Sequence, residues 1–197
     1  MIKAENIKMS FGERAVLDGA SISIDGTMAA LMGESGSGKT TFLRILSGLE
    51  KADSGDVEIT GKTAVVFAEP RLFPRVSAME NVTCVMSGEE SFKAERAMEL
   101  FRALGIEHAA HFRPRELSSG MASRVSIARA IAYNADNYLF DEPFRALDEE
   151  SRKNVISYIK KCLIGKSVLI ITHNASDADM LCDEKYQLFD GKINKIC

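Results

Sequence analysis

The chain has 197 residues, 46 % of them hydrophobic and 27 % charged, enough for one domain with a sizeable core and without need of a second. Its formal net charge of −3 gives no broad attraction for a polyanion, so nucleic acid is not an expected partner. No run approaches the roughly 18 apolar residues of a membrane span and the N-terminus lacks a signal peptide's apolar segment, which makes the cytoplasm the expected compartment.

The opening stretch reads as two short strands, Ile2 to Met9 and Val16 to Ile24, with Asp18-Gly19 and Asp25-Gly26 as turn signals. Together they predict a small antiparallel sheet. Apolar runs of the buried-strand type follow at Met28 to Met32, Ala64 to Phe67, Tyr138 to Phe140 and Val168 to Ile171. After Gly38, residues Phe42, Ile45, Leu46 and Leu49 fall at helical spacing and predict one apolar face packed on the sheet. From Ser77 to Tyr133 the pattern is helical: Ser91 is a candidate cap for a stripe of Ala94, Ala97, Met98, Phe101 and Leu104, with Gly105 at its end. A later helix follows Asp148, with Glu149 and Glu150 in its first turn and Lys160 and Lys161 near its end. Lys185 to Phe189 and Lys192 to Ile196, joined by Asp190-Gly191, predict a final hairpin. The four cysteines, Cys84, Cys162, Cys182 and Cys197, have no metal-like spacing and read as reduced thiols. His108 and His111 read as solvated loop residues.

Gly33-Glu34-Ser35-Gly36-Ser37-Gly38-Lys39-Thr40 has the spacing of a phosphate-binding loop between a predicted strand and a predicted helix. Small residues let backbone N–H groups converge on phosphate oxygens, and the helix N-terminus adds favourable potential for an anion. Lys39 supplies a charge for the β- and γ-phosphates of a nucleotide, and the Thr40 hydroxyl is a candidate Mg²⁺ ligand; the loop alone fits a kinase, a GTPase or a helicase equally. Further on, Tyr138-Leu139-Phe140-Asp141-Glu142-Pro143 ends an apolar strand in two carboxylates. Asp141 is the candidate to hold Mg²⁺ and Glu142 the candidate general base for an attacking water.

These residues, in this order, resemble the nucleotide-binding domain of ABC transporters, and the resemblance extends over essentially the whole chain. Leu117-Ser118-Ser119-Gly120-Met121 stands where that family has its Leu-Ser-Gly-Gly-Gln signature, Ala146-Leu147-Asp148 resembles its D-loop, and Ile171-Thr172-His173 resembles its H-loop. The resemblance implies an α/β fold with a RecA-like parallel-sheet core, an N-terminal antiparallel β subdomain and an inserted helical subdomain near residues 75–135, all in a single ATPase domain over residues 1–197. It implies that Gly33, Ser35, Gly36, Gly38, Lys39, Thr40 and Thr41 hold the phosphates, and that Phe11 stacks on adenine. Ser118, Gly120 and Asp148 would complete the nucleotide site of a second cassette, while Glu142, His173 and Lys39 would serve hydrolysis with Mg²⁺ on Thr40 and Asp141. ATP, a paired cassette, most simply a homodimer, and an integral-membrane permease are the implied partners, with this chain in the cytoplasm at the inner face of the cell membrane through the permease. Glu69-Pro70-Arg71-Leu72-Phe73-Pro74 is similar to the importers of the nitrate, sulfonate and taurine type. Alternatives are an ABC ATPase outside transport, as in iron–sulfur assembly, or an ATP-binding switch with weak hydrolysis.

The sequence departs from the family at two points: Ala68 stands where the family has its Q-loop glutamine, and Ser119 replaces the first signature glycine. Alanine offers no oxygen to a metal or a water. Both changes are compatible with ATP binding and bear on the rate of hydrolysis.

Overall fold

The computed structural model describes residues 1–196; Cys197, one of the four thiols, lies outside them. Two compact units emerge: the first comprises Met1–Val65, Asp136–Glu142 and the chain from Leu163 on, the second Val66–Ala135 and Pro143–Cys162.

The first unit holds two sheets. β1 (Ile2–Phe11) and β2 (Arg14–Ile24) pair antiparallel, and β4 (Ser54–Ile59) adds to the other side of β1. The sequence pattern did not reveal β4, because none of its residues is buried and no alternation marks it. Asp18-Gly19, expected as a turn, lies inside β2. Ile7 pairs with Ala20 and Lys8 with Asp18, which leaves Gly19, at φ 89°, as the extra residue of a β-bulge. The turn occupies Gly12-Glu13 instead.

The larger sheet has the order β5-β6-β7-β3-β8-β9, with β3 (Met28–Met32), β5 (Thr63–Val66), β6 (Asn137–Asp141), β7 (Ser167–Ile171), β8 (Glu184–Phe189) and β9 (Lys192–Lys195). β3 runs parallel to β7 and β8, and β6 runs parallel to β7. Every residue of β6 and β7 is buried, as continuous apolar runs in a parallel sheet require. β9 returns antiparallel to β8 through Asp190-Gly191, the expected hairpin. α1 (Lys39–Leu46) packs Phe42, Leu43, Ile45 and Leu46 inward. Leu49, expected on the same face, is exposed because the helix stops at Leu46 and the following turn returns the Gly48 N–H to the Ile45 carbonyl. α6 (Ala175–Leu181) is capped by Asn174, whose side chain accepts from the Ser176 N–H.

The second unit is helical: α2 (Ala78–Thr83), α3 (Glu90–Ala103), α4 (Ser119–Ala132) and α5 (Glu149–Cys162), with short 3₁₀ turns at Glu107–Ala109 and Pro114–Glu116. Ser91 is not the cap of α3. The helix starts two residues earlier, from Glu89, with no side-chain cap, and its buried set is Ala97, Leu100 and Phe101, leaving Ala94 exposed. Asn81 on α2 is fully buried and binds the Phe73 N–H at 2.7 Å and the Phe73 and Ser77 carbonyls, which fixes the loop before α2. Arg129 on α4 holds the same loop by the carbonyls of Pro70 and Arg71.

Candidate functional site

Parallel strands present their C-terminal ends together, and in the first unit β3, β6 and β7 each deliver a polar group there. β3 leads into the glycine-rich loop. At Gly33, φ is 149° and a Cβ would lie 2.6 Å from the Leu188 carbonyl oxygen on β8, so glycine alone fits where the loop leaves the sheet. Ser35 and Gly36 form the exposed tip, and Gly38 is the residue from which α1 starts, without a side-chain cap. The N–H groups of the first turn of α1 therefore have no side-chain partner at the cap, the condition under which a helix start accepts an anion.

Lys39 is 8 % exposed and folds back over the loop, donating to the carbonyls of Gly33 at 2.8 Å and Glu34 at 2.6 Å and to Ser37 Oγ at 3.4 Å. Burial pushes its ammonium below the usual lysine range, and the carboxylates of Glu142 and Asp141 act against that shift. Ser37 was not among the residues expected at the site; its hydroxyl completes the set of acceptors for Lys39.

The Thr40 hydroxyl donates to Asp141 Oδ2 at 3.0 Å. Asp141 Oδ1 is buried without a hydrogen-bond partner among the described residues, and the residue is only 3 % exposed. Burial holds the Asp141 carboxyl above its usual range; the Thr40 hydrogen bond opposes this, and neighbouring Glu142 adds to it. A buried carboxylate oxygen left without a donor, beside a hydroxyl, is a hard oxygen pair suited to a divalent cation such as Mg²⁺. The residues present thus fit that metal.

At Glu142 the strand ends with φ 47°, a left-handed conformation unusual for glutamate, while its N–H still donates to the Ile171 carbonyl at 3.0 Å. The chain turns there, and the carboxylate meets His173 Nδ1 at 2.9 Å and 2.8 Å from its two oxygens. His173 follows β7 and its side chain is 68 % exposed, against 19 % for Glu142. Nε2 is thereby free to face an incoming ligand. Phe11 ends β1 and is 53 % exposed rather than part of the core. Thr41, in the first turn of α1, is half-buried.

The second unit carries the other residues of the sequence reading. Ser118 caps α4, its Oγ accepting from the Met121 N–H at 3.2 Å, and Ser119 is the first helical residue. A Cβ on Gly120 would lie 2.9 Å from the Ala146 carbonyl oxygen, so the signature-like turn and the Ala146-Leu147-Asp148 segment are in direct contact. Asp148 Oδ1 accepts from the Ser151 N–H at 2.9 Å at the start of α5, which holds its carboxyl below the usual range. His108 and His111 are exposed, and Cys84, Cys162 and Cys182 are in the reduced form, outside any disulfide. Among the described residues no helix is long and apolar enough to cross a membrane.

The model of the family described as "ABC transporter" matches residues 17–145, which include both the glycine loop and the acidic pair. The chain belongs to the ABC transporter family. As a member it is an ATP-binding cassette and an ATPase. The cassette is 40 % identical over 193 residues to the aliphatic sulfonates import ATP-binding protein SsuB of Corynebacterium glutamicum, covering 95 % of this chain and 79 % of that protein. It is 36 % identical to the probable sulfate/thiosulfate import ATP-binding protein CysA of Chlorella vulgaris, covering 99 % of this chain and 90 % of that one. Its fold matches the dimeric structure of MJ0796, a bacterial ABC transporter cassette, with a TM-score of 0.91 and 29 % identity over 100 % of this chain and 99 % of that one. MJ0796 has also been solved as a dimer in a post-hydrolysis state with ADP and Pi, with the same TM-score.

Proposed function

We propose that this cassette is the ATP-binding and ATP-hydrolysing subunit of a prokaryotic importer for an oxoanionic solute of the sulfonate or sulfate class, acting from the inner face of the membrane through a permease. The names of its relatives support the solute class. The observation that carries the enzymatic part is the pair of carboxylates ending β6: Asp141 leaves one oxygen without a donor next to Thr40, and Glu142 is clasped by His173.

In this reading the backbone of Gly33 to Thr41 cradles the phosphates, and Lys39 exchanges its carbonyl acceptors for β- and γ-phosphate oxygens. Thr40 and Asp141 would hold Mg²⁺, which when bound neutralises charge on those oxygens. Water attacks the γ-phosphorus as the bond to the ADP oxygen breaks, and the Glu142 carboxylate takes the water proton. His173, held through Nδ1, orients that carboxylate and presents Nε2 to the γ-phosphate. Phe11 offers an exposed ring to adenine. Both units form one cassette. Two copies pair head to tail, so that Ser118, Gly120 and Asp148 of each complete the site of the other, with two equivalent nucleotides in a symmetric dimer.

A second reading, an ATP-operated switch with slow turnover, is favoured by Ala68 and Ser119. ATP turnover measured with the permease decides between them: permease-stimulated hydrolysis supports the importer, and binding without turnover supports the switch. Lys39→Ala is expected to reduce MgATP affinity at least a hundredfold in a folded cassette, measured by calorimetry, because the charge meeting the phosphates is lost while the packing of α1 stays. Unchanged affinity would remove the phosphate loop from the site.

A further inference from the structure

The second unit contains a cavity of about 580 Å³ whose lining includes none of the residues assigned to ATP. Three cations reach it: Arg102 at the end of α3, Arg124 on α4 and Lys161 at the end of α5, against one carboxylate, Glu150. With three positive charges and one negative, the lining carries a formal +2 in a chain whose net charge is −3. Lys161 makes no ion pair among the described residues. The Arg102 guanidinium is shared with Glu107 at 3.3 Å, both exposed. Arg124 donates only to neutral acceptors, the carbonyls of Gly120, Leu104 and Gly105 at 3.2 to 3.3 Å, with Asp148 acting on it electrostatically. Its charge is hydrogen-bonded but not neutralised. Ser151 and Tyr158, seven residues apart on α5, add hydroxyls on the same face as Lys161. Burial and a hydrogen bond with Cys162 push the Tyr158 hydroxyl up to about 12.

We propose that this cavity binds a tetrahedral oxoanion of the sulfate, sulfonate or phosphate class, and that its occupancy lowers ATP turnover through Arg124. Guanidinium groups take such anions in paired hydrogen bonds, and the lysine adds a mobile point charge. The volume leaves room for an organic substituent on the anion. The route to turnover is short. Arg124 Nε holds the Gly120 carbonyl at 3.2 Å, and Gly120 itself lies against the Ala146 carbonyl with no space for a Cβ. An anion that draws the guanidinium toward the cavity competes for that hydrogen bond and loosens the first turn of α4, the turn assigned to the nucleotide of the paired cassette. The effect on turnover rests on that assignment, whereas the binding does not.

The test is calorimetric titration of the full chain with sodium sulfate, methanesulfonate or phosphate, at constant ionic strength set with chloride. Saturating MgADP keeps the phosphate loop filled. Saturable binding is expected, weakened at least tenfold in Lys161→Glu and in Arg102→Glu. Turnover should fall with the anion in the wild type and not in either variant, while their basal turnover stays at the wild-type value. Both positions are exposed, and Lys161→Gln repeats the measurement if charge reversal disturbs folding. The anion bound most tightly assigns the source: methanesulfonate or sulfate points to imported solute, phosphate to the product of hydrolysis. Heat no greater than that of chloride, or affinity unchanged in all variants, overturns the site. Binding with undiminished turnover overturns the route through Arg124. Absence of basal turnover in the wild type would instead contradict the ATPase reading, leaving the binding result to stand alone.

Discussion

Asp141 illustrates a side chain whose cost in the free protein is the counterpart of its use. Its Oδ1 is buried without a donor, and burial raises its carboxyl in the folded state above the unfolded value. A carboxyl raised on folding favours the protonated form. Its contribution is therefore fully present below the unfolded value and is lost as pH climbs through the ordinary carboxylate range to the raised one. Asp141→Asn should accordingly stabilise the nucleotide-free chain at neutral pH by about 1 kcal/mol, roughly 2–4 °C in Tm. The same variant should lose Mg²⁺-dependent ATP affinity. A lower Tm in the variant would show that the buried carboxylate carries no cost, and unaltered Mg²⁺ dependence would show that it is not a metal ligand. Ala68 is the opposite case, a small side chain where the family has a functional one. It is exposed, so a longer side chain meets no packing obstacle. Ala68→Gln should raise the single-turnover ATPase rate about tenfold, or about 1.4 kcal/mol of barrier, with little change in ATP affinity. An equal or slower rate in a folded variant would mean that the attacking water is positioned by other groups.

The elements to which chemistry is assigned in the proposed function are those whose ends were written most clearly in the sequence. The loop from Gly33 to Thr40 lies between a strand and a helix as its spacing demands, and Asp141 and Glu142 stand at the end of a wholly buried strand. What the sequence concealed depended on long-range partners. The contact of Gly33 with the Leu188 carbonyl joins residues 155 positions apart in sequence (188 − 33), and no local pattern announces it. The clasp of His173 on Glu142 likewise needs β6 and β7 to be neighbours before it can be seen. The bulge at Gly19 and the early start of α3 from Glu89 are failures of local rules in which pairing and packing overrode a turn signal and a cap signal. Gly120 gives an element-scale prediction. A Cβ there would meet the Ala146 carbonyl oxygen at 2.9 Å, and the atom to be displaced is backbone, not a flexible side chain. Gly120→Ala should leave ATP binding to the separate cassette unchanged while reducing ATP-driven pairing at least tenfold, read by analytical ultracentrifugation. Weakened ATP binding with intact pairing would place Gly120 in the wrong half of the site.

At the scale of the whole molecule, the cassette divides its functional residues between its units. The phosphate loop, the acidic pair and His173 belong to the first, the signature-like turn and Asp148 to the second. In the proposed pairing each chain carries one residue set for its own nucleotide and one that serves a head-to-tail partner, and catalysis becomes a property of two chains. Removing the base while keeping its size should trap that pair. In Glu142→Gln the amide still hydrogen-bonds water and His173 but cannot take the proton, so bound ATP persists. Light scattering of Glu142→Gln with saturating MgATP, before and after chelation of the metal, is the most direct measurement. We expect a particle of twice the 21.6 kDa chain that reverts to the single chain on chelation, with turnover reduced at least a hundredfold. A single chain with MgATP bound, or turnover equal to the wild type, would contradict the paired-cassette mechanism.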